Sequence, residues 1–300
     1  MFSMRLVWIG MGIILSLGLA ACGQSAHGSN PPVAVQKSGH VTHIYPTPKA
    51  TEMATVPASN GMMWILAGNH HAQALFPLEL TSHTVGKGIP LNASTIGVGQ
   101  VPAGSLFTIQ NGSTARIIWR SPTTAKRSGA LNLPGGVVTG AAGQAGRHIY
   151  LVCESGTQSK EAVIVTTGPH AAIAGTWLVS PSTISVAPTP SGRHLYALTS
   201  SGQITEWSTK SHKAASQFSI GQSGRSLVIN PAGTTLYALK GRRNTRNIAV
   251  VSLATENVSS VLPAPAYARQ IVMSASGRVL YAVVGTSAYG NVQEITNLGG

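Results

Sequence analysis

The sequence predicts an all-β chain folded as a β-propeller of six four-stranded blades. The first observation is a stretch that keeps returning, Ser191-Gly192-Arg193-His194-Leu195-Tyr196-Ala197-Leu198. It recurs around Gly146-Arg147-His148-Ile149-Tyr150, Gly233-Thr234-Thr235-Leu236-Tyr237 and Gly277-Arg278-Val279-Leu280-Tyr281, with fainter copies after Gly61 and Gly104. The second is the spacing: the glycines at 61, 104, 146, 192, 233 and 277 are separated by 43, 42, 46, 41 and 44 residues. A period of that size with four short strands per unit is the signature of propeller blades. The third is that the two ends complement each other. After Tyr281 come a third strand, Asn291-Val292-Gln293-Glu294-Ile295-Thr296, and then no outer strand, while Val41 to Pro48 is an outer strand with no blade of its own. Pairing the two closes the ring and removes sheet edges.

The strands follow in order from blade five. Arg225 to Asn230 is the inner strand, Thr235 to Lys240 the second, Asn247 to Leu253 the third and Val258 to Leu262 the outermost, with Gly, Pro, Asn and Ser marking the turns. Third strands elsewhere read Ile204–Trp207, Ala162–Val165, Arg116–Trp119 and Ala74–Leu78, the last weakened by Pro77. The inner strands read Ile96–Gly99, Val137–Gly140, Ile184–Ala187, Leu227–Ile229 and Ile271–Met273.

Composition narrows the chemistry. Hydrophobic residues are 43% of the chain, ample for a core, but charged residues are only 9%, against roughly 25% in an average soluble protein. Twenty Lys and Arg face seven Glu and no Asp, a net charge of +13. Without Asp, aspartate bases, Asp–His pairs and Asp-rich Ca²⁺ loops are excluded.

Residues 1–21 have a short positive start ending at Arg5 and an apolar run, Leu6 to Ala20, too short to span a bilayer comfortably. The run closes on Leu19-Ala20-Ala21-Cys22, which resembles the lipobox of bacterial lipoproteins. The resemblance implies that 1–21 is a signal peptide and that Cys22 is diacylated, the first mature residue and the membrane anchor on the extracytoplasmic side. Two acyl chains suffice for stable anchoring. Residues 22–39, rich in Gly, Ser, Asn, Gln and Pro, read as a flexible tether, and 40–300 as the propeller.

Residues 184–283 resemble the YVTN-type propeller repeats of bacterial surface and periplasmic proteins. Asn230-Pro231-Ala232-Gly233, Leu236-Tyr237-Ala238 and Val250-Val251-Ser252-Leu253-Ala254-Thr255 carry the likeness. The family's Asp is replaced by Ser252, Ser208, Thr166 and Thr296, whose hydroxyls can still bond turn backbone. Related propellers usually have seven blades and sometimes six, so seven is the alternative count. The fold serves enzymes and passive binders alike. Lactonase-type propellers place catalytic groups on the inner strands, and here those strands carry no ring of His, Glu or Asn.

Other candidate chemistry is sparse. His70-His71 would point to opposite faces in a strand and read as loop residues between second and third strands, His40 and His43 point to opposite faces of a strand, and no metal or cofactor is implied. Cys153 is the one thiol besides Cys22 and reads as a buried, inert residue. Glu206 and Glu294 align across blades, with Glu79 near the same place, and read as surface residues away from the axis. The basic residues are more suggestive. Arg225 and Arg269 each stand eight residues before a repeat glycine, where an inner strand enters the channel mouth. Arg242, Arg243 and Arg246 fall in the loop between second and third strands of blade five, on the same face. Guanidinium forks suit carboxylate and phosphate groups. The expected function is therefore a non-catalytic, membrane-anchored binding or scaffold module. Its natural partners are anionic lipid headgroups, wall polymers or another envelope protein; the compartment excludes nucleic acid. A lactonase-like hydrolase is the alternative.

Overall fold

Turn chemistry explains why the glycine recurs. In a computed structural model of the chain, Gly192, Gly233 and Gly277 donate N–H bonds to Thr189, Asn230 and Ser274 at 2.8–2.9 Å, closing four-residue turns. The side chains of those same three residues accept from His194, Thr235 and Val279 N–H at 3.1–3.2 Å. Each glycine is left-handed, with φ of 69°, 71° and 71°, a conformation that costs other L-residues roughly 1–2 kcal/mol. Space is short as well: a Cβ on Gly277 would lie 3.0 Å from Pro231 Cδ of the preceding blade's turn.

The structure describes residues 35–36, 39–47, 53–54, 61–68, 72–92, 94–101, 105–135, 138, 143–155, 159–168, 170–286 and 289–298. The signal peptide, Cys22, most of the tether, His70 and His71 lie outside them. The described elements are all strands, gathered in six sheets. From the inner strand outward, blade two is Thr95–Gln100, Leu106–Gln110, Arg116–Arg120 and Arg127–Asn132. Blade three is Gly143–Ala145, His148–Ser155, Ser159–Thr166 and Ile173–Val179. Blade four is Thr183–Pro188, His194–Thr199, Gln203–Ser208 and Ala214–Ser219. Blade five is Gly224–Ile229, Thr235–Lys240, Asn247–Ser252 and Asn257–Pro263.

Blade six is Ala268–Met273, Leu280–Gly285 and Gly290–Thr296, completed by the N-terminal His40–Thr47 as outer strand. That strand runs antiparallel from His40 opposite Thr296 to Thr47 opposite Gly290, so the expected closure is present. Val35–Gln36, within the stretch expected as tether, adds a short parallel strand to the outer edge of blade five.

Blade one is Met53–Ala54, Met62–Gly68 and Gln73–Glu79, with an outer edge split into Thr84–Val85 and Ile89–Leu91. Pro77 sits inside its third strand after all. The outer strand is interrupted opposite it: Thr84–Val85 pairs with Leu78 and Glu79, and Ile89–Leu91 with Gln73 to Leu75. A proline lacks the N–H that a continuous partner would need. In blade three the inner strand also differs from expectation. Val138 makes only a single bridge, to Cys153, and the paired strand is Gly143–Ala145; Val137, Thr139 and Gly140 lie outside the described residues.

Burial falls off radially. Leu236 to Leu239 on a second strand are all buried, whereas no residue of the outer strands Arg127–Asn132 and Ala214–Ser219 is. The described core is divided into six apolar clusters, one in each seam between adjacent blades. Tyr45, Tyr281 and Val283 of blade six pack with Met63 and Ile65 of blade one, so the seam joining first blade to last resembles the others. Such sheet-on-sheet packing makes the ring one hydrophobic circuit. Polar ties run beside it: Ser185 Oγ accepts from Leu227 N–H at 3.1 Å, Ser226 Oγ from Ile271 N–H at 3.3 Å and Gln270 Oε1 from Ala54 N–H at 2.9 Å. These acceptors occupy one position of successive inner strands and stitch blades four to five, five to six and six to one.

Candidate functional site

The loops entering the inner strands and those leaving the second strands share one face. Backbone bonds hold them together within a blade: Gly241 N–H donates to Ser223 O at 3.0 Å in blade five, and Gly285 N–H to Tyr267 O at 3.4 Å in blade six. All five sequence-nominated arginines stand on these loops or at the strand ends beside them. Arg225 and Arg269 have a feature that sequence reading missed. The register of both inner strands shifts by one residue, between Gly224 and Ser226 and between Ala268 and Gln270, leaving each arginine as the extra residue of a β-bulge. Blades two and four repeat the bulge with Ile96 and Ile184. Bulges re-aim side chains, and two of these carry an arginine.

The five arginines do not act as one group. Arg246 stands apart: it is only 8% exposed, although it lies in the loop just before the third strand. Its Nη1 donates to Gly241 O, and its Nε is buried without a hydrogen-bond partner. Burial, followed by the charges of Arg225 and Arg243, pushes Arg246 below the ordinary arginine value. Arg225 and Arg243 are themselves exposed. Arg269 is half-buried and donates its Nε to Gly285 O at 2.9 Å, and Arg242 is exposed at the loop's outer turn. Sequence had signalled the arginines by position, but gave no sign of which one would be buried. That depends on the next blade's entry loop folding over them, with Tyr267 N–H donating to Arg243 O at 2.7 Å and Ala264 N–H to Arg246 O at 3.1 Å.

The central cavity has a different character. It encloses about 300 Å³ and draws its lining from all six inner strands, including Ala54, Val98, Ala145, Val186, Leu227 and Ile271. Its lining extends to Pro190 and Pro231 in the turns between first and second strands, on the opposite face from the arginines. Among the described residues that line it, none is titratable.

Glu206 and Glu294 differ from expectation. Their side chains are only 14% and 16% exposed, because a third strand is still flanked by the next blade. Glu206 Oε1 lies 2.6 Å from His194 Nδ1, and Ser216 Oγ donates to Oε2 at 3.0 Å while also touching Glu256 of blade five. Glu294 accepts from Tyr45 OH at 3.0 Å and lies 3.4 Å from His43 Nδ1. Each carboxylate thus has protein partners and holds strands together. Cys153 is buried as expected, and burial with the nearby Glu161 pushes its thiol up to about 12, far from nucleophilic. Among the described residues no three His, Cys or Glu side chains gather as metal ligands.

Compared with known families and curated proteins, the chain matches no family model and no curated sequence.

Proposed function

We propose that this chain is a lipid-anchored, extracytoplasmic β-propeller that binds anionic ligands on its arginine face and performs no catalysis. The observation that carries the reading is the buried Arg246 flanked by Arg225 and Arg243, with no described carboxylate paired to any of the three. A charge placed out of water normally has a counter-charge, and one removed from it is strongly disfavoured. The lipobox-like Leu19-Ala20-Ala21-Cys22 supports the anchor, and the described cavity lining, free of titratable groups, supports binding over hydrolysis.

The test uses the full chain in phosphatidylcholine nanodiscs, titrated with a soluble polyanion at rising salt. Affinity is expected to fall as the Debye length shortens toward about 3 Å near 1 M. Arg225→Ala/Arg243→Ala should weaken it markedly. Equal affinity in the double variant would leave the arginines as ordinary surface charge. In cells, Cys22→Ser should shift the protein out of the membrane fraction, and continued detergent-dependent association would end the anchor reading.

A further inference from the structure

We infer that Arg225, Arg243 and Arg246 form a discrete pocket for a single phosphate group. The inference rests on the anionic-ligand reading above and sharpens it from a charged face to one site of stated chemistry.

The starting point is Arg246. A solvated basic loop keeps its guanidiniums in water, yet this one is more than nine-tenths buried with its Nε unpartnered. Its Nη1 is committed to Gly241 O, and its Nε has neither water access nor a partner, so the charge is left uncompensated within the protein. The two charges that bear on it are both positive. Neither described ion pair of the chain involves an arginine: both join a histidine to Glu294 or Glu206. Three like charges at one place repel, and an anion would relieve all three together.

Geometry favours phosphate over carboxylate. A phosphate monoester presents three acceptor oxygens and nearly two negative charges at neutral pH. A carboxylate presents two oxygens and one charge, which a single fork satisfies. Three guanidiniums match the first. The site is also held ready. Arg243 and Arg246 carbonyls are fixed by Tyr267 and Ala264 N–H, and Thr245 N–H bonds to Arg242 O at 3.1 Å. Gly241 has φ of 97°, and a Cβ there would meet Thr245 O at 2.3 Å, so this tight loop requires glycine. Gly241 N–H bonds to Ser223 O at 3.0 Å, which ties the strand entry that carries Arg225 to this loop. Preorganisation of this kind lowers the cost of binding.

Phosphate can come free, as a monoester or within a lipid or wall polymer, and the probes separate these sources. Inorganic phosphate, glycerol phosphate, acetate and polyphosphate are titrated calorimetrically into the full chain in phosphatidylcholine nanodiscs. A parallel arm places the chain in phosphatidylglycerol nanodiscs, where occupation by a lipid headgroup would reduce phosphate binding. Expected are one phosphate per chain, tighter binding of glycerol phosphate from pH 5 to pH 8 as its dianion forms near pH 6, and no binding of acetate. Arg246→Lys, which keeps the charge but removes the fork, should weaken phosphate by about tenfold or more while polyphosphate affinity changes little. Should that variant fold poorly, Arg243→Gln, on an exposed position, must weaken phosphate as well. Polyphosphate binding without saturable phosphate binding would overturn the pocket and leave the broader reading standing. Binding of neither would overturn both.

Discussion

Burial fixes the protonation of several second-strand groups. The Cys153 thiol is pushed up to about 12 by burial and Glu161, and the Tyr281 hydroxyl to about 12 by burial and Glu294. Burial and neighbouring glutamates also raise Tyr45 and Tyr196. A group whose folded value is raised leaves stability intact below its unfolded value and removes it as pH climbs through the folded one. The thermal midpoint should therefore hold below pH about 9 and fall steeply between about 9 and about 12, with Cys153→Ala and Tyr281→Phe each flattening the fall. An unchanged midpoint across that window would mean these groups are solvated. At this scale the sequence was only partly readable. Gly233 and Gly277 announce themselves because a left-handed turn admits few other residues. Arg246 does not, because its burial comes from a loop eighteen or more residues further on. Glu206 and Glu294 were misjudged because their seclusion comes from neighbours remote in sequence, Glu256 of blade five and Tyr45 of the N-terminal strand.

At the scale of the element, strand identity was legible and strand irregularity was not. Alternation and turn residues located the second, third and outer strands of blade five to within a residue. The hydroxyls of Ser208 and Thr166, expected to bond turn backbone, do so: Ser211 N–H to Ser208 Oγ at 3.3 Å and Ala172 N–H to Thr166 Oγ1 at 2.9 Å. The bulges escaped notice because one extra residue leaves the hydrophobic pattern of a short strand almost unchanged. Yet the bulge has a structural consequence beyond Arg225. The residue after it, Ser226, reaches sideways to Ile271 N–H of blade six and is 2% exposed. Ser226→Ala should strand that buried N–H and cost about 1–3 kcal/mol, read from chemical denaturation. Ser201→Ala, removing an exposed turn hydroxyl of blade four, is the control and should cost little. Equal effects would remove the inter-blade ties from the account.

For the whole molecule, the repeat period of about 43 residues and the complementary ends pointed to six blades with seven as the alternative, and the structure has six. What the period could not reveal is how the seams share the core, with six clusters and none dominant. A ring built this way is only as sound as its closing seam, where His40–Thr47 covers the last blade. The arginine face depends on it too, because blade six supplies the loop that buries Arg246. The most direct measurement is therefore a cross-link across that closure. Ile44 and Gln293 are register partners on adjacent antiparallel strands, and Ile44 is 57% exposed. Such partners have Cα atoms about 4.5–5.5 Å apart, within the range of a disulfide. On mild oxidation, Ile44→Cys/Gln293→Cys should form an intramolecular bond in nearly every chain and raise the thermal midpoint. Free thiols, or bonds only between chains, would contradict closure by the N-terminal strand.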